Sequence, residues 1–163
     1  MKRIISFALL LAVVAGAAWL VQRGAEERAV RRVLDDVQTV ALGGLNRRNA
    51  IALDEYFATV AEGAQAAGLA ETQQAYKDFV VQLPGNNAVQ FHLFDLTALE
   101  VHEDAGLANA TYRLHFSVVR GGQAIFSAKA TQTIALLKTP RGWRIMGGDA
   151  PQLDDVSGAW PPP

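Results

Sequence analysis

The stretch ATYRLHFSVVRGGQAIFSAKAT, Ala110–Thr131, decides how this chain folds. On both sides of Gly121-Gly122, apolar and polar residues alternate one by one, the two-residue period of a strand with one covered face. The two halves fold back on each other as an antiparallel hairpin. A two-residue turn would set Phe116 beside Ser127 and Leu114 beside Lys129. A three-residue loop, Gly121-Gly122-Gln123, aligns Val118 with Phe126, Phe116 with Ala128, and Leu114 with Ala130. The opposite face then collects Ser117 with Ser127, His115 with Lys129, Arg113 with Thr131, and Thr111 with Thr133. Only this second register separates apolar from polar, because a one-residue slip exchanges the faces of a strand.

The hairpin extends in both directions. Strands are expected over Val89–His102, Ala108–Val119, Ala124–Lys138 and Trp143–Met146. The breaks between them, Asp104-Ala105-Gly106, Gly121-Gly122 and Pro140-Arg141-Gly142, are short enough for an antiparallel meander. A four-residue loop, Thr139–Gly142, keeps Trp143 and Ile145 on the face of Ile134 and Leu136. Val89–His102 does not resolve. One parity turns Phe91, Leu93, Asp95, Leu99 and Val101 inward; the other turns in His92, Phe94, Leu96 and Ala98. A central position, a bulge or a second covered surface would each explain it.

Upstream the period changes to that of a helix. Val30, Val33, Leu34, Val37, Val40 and Ala41 form one stripe over Glu26–Leu42, and Gly43-Gly44 ends it. Asn49 is placed to cap a second helix carrying Leu53, Tyr56, Phe57 and Val60. After the small-residue stretch Ala61–Ala70, Thr72 caps a third with Tyr76, Phe79, Val80 and Leu83, stopped by Pro84-Gly85. Helices gathered before an antiparallel sheet predict an α+β fold. The helices would pack on a bent sheet of four or more strands.

At the start, Lys2-Arg3 precedes eighteen uncharged residues, Ile4–Val21. As a helix they would span roughly 27 Å, about one bilayer core. The basic pair predicts that the N-terminus stays in the cytoplasm while the rest is exported. Trp19 suits an uncleaved single-pass anchor in the cell membrane. Ala15-Gly16-Ala17 suits cleavage near Ala17 and a secreted or periplasmic product. The expected division is 1–22 signal-anchor or signal peptide, 23–150 folded domain, and 151–163 extended tail ending in three prolines.

With 15 basic and 16 acidic residues, the chain has no basic field for nucleic acid. It has no cysteine, so neither disulfides nor thiolate metal sites are available. His92, His102 and His115 match no metal-ligand spacing, no serine sits in a nucleophile elbow, and no glycine pair opens a phosphate-binding helix. No metal or cofactor is expected.

Leu45-Asn46-Arg47-Arg48-Asn49 running into Leu53-x-x-Tyr56-Phe57, the hairpin through Arg120-Gly121-Gly122, and Gly142-Trp143-Arg144-Ile145 together resemble the nuclear transport factor 2-like superfamily. That group includes SnoaL-like cyclases and ketosteroid isomerases, with the cystatin-like cone. A short hairpin usual between the second and third helices has no counterpart here. The resemblance implies helices seated inside a cone. In the isomerase branch it would imply an aspartate base, for which Asp95 is the candidate, with Tyr56, Tyr76 and Trp143 lining an apolar pocket. It also implies pairing of two copies through the outer sheet face, here Thr111, Arg113, His115, Lys129 and Thr131. The expected function is a membrane-tethered extracytoplasmic binding or interaction domain without catalysis. Its partners would be the membrane through Ile4–Val21, a second copy, an envelope protein or a small apolar ligand. The alternative is a cyclase- or isomerase-like enzyme using Asp95.

Overall fold

The computed structural model describes residues 24–46, 50–59, 62, 86–149 and 151–159. Its frame is one antiparallel sheet with strands β1 (Leu45–Asn46), β2 (Asn87–His102), β3 (Leu107–Arg120), β4 (Gln123–Thr139), β5 (Gly142–Gly148) and β6 (Gln152–Gly158). They lie in the order β1-β2-β3-β4-β5, and β6 joins the same edge of β4 as β5. β5 covers Ile134–Thr139 and β6 covers Phe126–Thr131, so one long strand carries two short ones end to end.

The hairpin register is the one that sorts apolar from polar. Val118 pairs with Phe126, Phe116 with Ala128, Leu114 with Ala130, and Thr111 with Thr133. The turn reaches that register by a different route. Its central residues are only Gly121 and Gly122, both left-handed at φ 57° and 83°. A register shift just beyond, where Ile125 has no partner, supplies the third residue.

β2 carries two such shifts, one between Phe91 and Leu93 and one between Leu96 and Ala98. Each leaves one residue unpaired and changes which parity faces the core. Val89, Phe91, Phe94, Leu96, Leu99 and Val101 therefore all join the core side, while Leu93, Asp95, Ala98 and Glu100 lie opposite. The two conflicting parities are successive segments of one strand.

A helix, α1, occupies residues 24–42 and lays Val30, Leu34, Val37 and Ala41 against the sheet. Burying each such aliphatic side chain contributes roughly 1.5–3 kcal/mol relative to leaving it in water. Gly44, left-handed at φ 85°, follows the helix, and its N–H donates to the Ala41 carbonyl at 3.0 Å. From there the chain adds β1 to the β2 edge and reaches the opposite edge, where Phe57 bridges Ile145 and the Ala58 N–H donates to its carbonyl at 2.8 Å.

Three expectations need correction. The α+β class gives way to a mostly sheet protein with a six-stranded antiparallel sheet and a single long helix among the described residues. The second helix is a 3-10 segment, Ala50–Tyr56; of its described side chains Leu53 alone is buried, while Ile51 lies open to water, so little apolar burial supports a longer α-helix. The expected third helix at 72–83 lies outside the described residues. The transmembrane and signal-anchor reading also fails on what is described: no helix there is long and apolar enough to cross a membrane. α1 is long enough but carries Glu26, Glu27, Arg28, Arg31, Arg32, Asp35 and Asp36; Ile4–Val21 lies outside the described residues. Of the stretch 151–163 expected as an extended tail, Gln152–Gly158 is a strand hydrogen-bonded into the sheet, and 160–163 lie outside the described residues.

Candidate functional site on the exposed sheet face

The two sides of the sheet divide the candidate residues between them. On the covered side, Trp143 is buried and its indole N–H donates to Glu26 Oε2 at 2.9 Å, while Lys138 Nζ lies 2.6 Å from Glu26 Oε1. The lysine first and the indole second hold the Glu26 carboxyl below its usual range. One carboxylate thereby ties the start of α1 to the β4–β5 hairpin. Tyr56 is half-buried beside that core, and burial, then Glu55 and Asp36, raises its hydroxyl pKa. Tyr112 is buried, and burial pushes its hydroxyl well above the ordinary value.

Asp95 lies on the other side. It pairs with Arg113 directly across β2 and β3, with Arg113 Nη2 2.9 Å from Asp95 Oδ2 and 47% of the aspartate side chain exposed. It therefore does not meet Tyr56 or Trp143, and Tyr76 lies outside the described residues. A general base of the isomerase kind would sit in an apolar pocket, whereas this carboxylate is half exposed and ion-paired.

All five surface candidates, Thr111, Arg113, His115, Lys129 and Thr131, come together on this outer face. Register makes them neighbours: Thr111 faces Thr133, Arg113 faces Thr131 and Asp95, and His115 faces Lys129. The hydroxyls of Thr111 and Thr133 share a hydrogen bond of 3.0 Å. Lys129 Nζ lies 2.6 Å from Asp155 Oδ2 on β6, and that contact holds the Asp155 carboxyl below its usual range.

The pairing also assembles a group the alternation pattern did not reveal. His92, left unpaired by the first β2 shift, places Nε2 2.9 Å from Ser117 Oγ. Its ring centroid is 4.9 Å from that of His115, and His115 Nε2 is 3.4 Å from Ser127 Oγ. Two imidazoles and two hydroxyls thus form one polar corner. Pairing Ser117 with Ser127 was readable from the hairpin; the arrival of His92 depends on a bulge. Elsewhere, a depression of about 360 Å³ between α1 and the end of β2 is lined by Glu27, Leu99, Glu100, Val101, His102 and Glu103. Among the described residues, no group of three or more acidic or histidine side chains is placed to hold a metal ion.

Compared with known proteins, the chain matches no family model, no curated protein and no solved structure. The likeness to the nuclear transport factor 2-like superfamily therefore rests on the quoted residues alone.

Proposed function

We propose that this chain is an exported interaction domain without catalytic activity, and that it docks a protein partner against the outer face of β2–β4. A second copy is the simplest such partner. The observation that carries this reading is the commitment of Asp95 to Arg113 on the exposed face, beside Thr111, His115, Lys129 and Thr131. The ion pairs there leave a face of mixed sign, suited to a protein surface and unsuited to a polyanion. Three strands about 4.8 Å apart, paired along the 14 residues of β3, present roughly 670 Å², approaching the ~800 Å² per partner of a stable interface. The Lys2-Arg3 pair before Ile4–Val21 supports export.

A photocrosslinking benzophenone amino acid placed at Thr131 of the full chain, activated in intact cells, tests the proposal. The expected product is one discrete adduct, of twice the chain mass if the partner is a second copy. Arg113→Glu with Lys129→Glu should suppress it. The same group at exposed Ile51 should give no such band. No adduct from position 131, or the same adduct from position 51, would overturn the reading.

A further inference from the structure

We propose that β6 is an exchangeable strand, and that two copies of this chain associate by each seating its β6 on the other's β4. This inference rests on β6 and is independent of docking through the outer face. All seven residues of β6 are exposed, including Leu153 at 46% and Val156 at 52%, so the strand brings no side chain into the core. What holds it is the backbone ladder to Phe126–Thr131 and the exposed Lys129–Asp155 ion pair. Gly158 fits against β4 only because it lacks a side chain; a Cβ there would stand 2.5 Å from the Ile125 carbonyl oxygen. Asp155 is the single non-glycine residue with a left-handed backbone among the described residues, at φ 50°, beside the register shift between Ser127 and Lys129.

Every one of these contacts is local to β4 and β6. A second copy's β6 would therefore reproduce the same ladder, the same close glycine contact and the same Lys129–Asp155 attraction between chains. Exchange keeps each of these β4–β6 contacts, so chain connectivity and concentration decide between closed monomer and exchanged pair. Dislodging β6 uncovers unpaired N–H and C=O groups along Phe126–Thr131, an edge that another strand of the same sequence satisfies fully.

Ser127 and Ser157 stand directly opposite across this ladder, and the chain has no native cysteine. Directly paired positions on antiparallel strands lie within disulfide reach. Two full chains with different tags, one Ser127→Cys and the other Ser157→Cys, are co-expressed, purified together and oxidised with copper–phenanthroline. The expected major product is the disulfide joining the two tags. A chain carrying both substitutions serves as the control for local pairing. If that chain closes internally while the mixed pair gives no joined product, exchange is refuted. If neither links, β6 does not lie on β4 and the proposal fails with it. A predominant link between two Ser127→Cys chains would favour outer-face docking and refute exchange as the dominant mode.

Discussion

The two faces of this sheet are built from the same strands by opposite means. The covered face excludes water with Val89, Leu114, Val118, Phe126, Leu136 and Trp143 under the apolar stripe of α1. The outer face matches partners: Asp95 with Arg113, Thr111 with Thr133, His92 with Ser117, and Lys129 with Asp155. Burial is non-directional and scales with area, so the first face supplies the stability. Exposed ion pairs contribute little, so the second face is free to serve recognition. The lesson is that Asp95, the residue whose chemistry looks most promising in isolation, belongs to the face that does not hold the fold together.

That contrast can be broken most severely from the covered side. Leu34 is 1% exposed, and Leu34→Asp would bury an unpaired carboxylate against the sheet. A loss of about 4 kcal/mol or more is expected, read as a collapse of the thermal transition. Unchanged melting would show that α1 does not cover this face.

A smaller effect is expected where a charge reaches into the covered side. Glu26→Gln weakens the bonds to Lys138 and Trp143 and should lower stability by about 1 kcal/mol at pH 7. Because the folded-state pKa of Glu26 lies below its ordinary 4.5, its contribution is present above that value. It is lost as pH falls through the lower, folded-state value. Denaturant midpoints for the parent and variant should therefore stand apart above pH 4.5 and draw together as the pH falls through that lower value. A constant gap across that range would remove the carboxylate from the account.

On the outer face the expected change is smallest. Asp95→Asn should alter stability by less than about 1 kcal/mol, because both partners are substantially solvated. A large gain in melting temperature would point to a strained, desolvated carboxylate.

How much of this was legible in the sequence differs from strand to strand. β3 alternates throughout Ala108–Val118 and β4 over Phe126–Leu136 except at Gln132 and Ala135, so a single parity fixes both faces, and the expected cross-strand pairs are those observed. In β2 the side-chain types fit both parities equally. Bulges at His92 and Thr97 are backbone events that no side-chain type announces, and each inverts the parity. The facing of Asp95 was hidden by those two residues. β6 is illegible for another reason. Gln152, Asp154, Asp155 and Gly158 disfavour strands, and the segment buries nothing, so no apolar period marks it. α1 was legible to its end at Gly43-Gly44 because its stripe is long and its stop is glycine.

The most direct test is the facing of two consecutive residues in β2. In the cysteine-free chain, Asp95→Cys and Leu96→Cys introduce one thiol each for labelling by a charged maleimide under native conditions. The account predicts that Asp95→Cys reacts at least tenfold faster than Leu96→Cys, and that unfolding in denaturant equalises them. Faster labelling at position 96 would place Asp95 on the covered face, equal native rates would show that β2 does not separate the two positions, and either result would contradict the proposed role of the outer face.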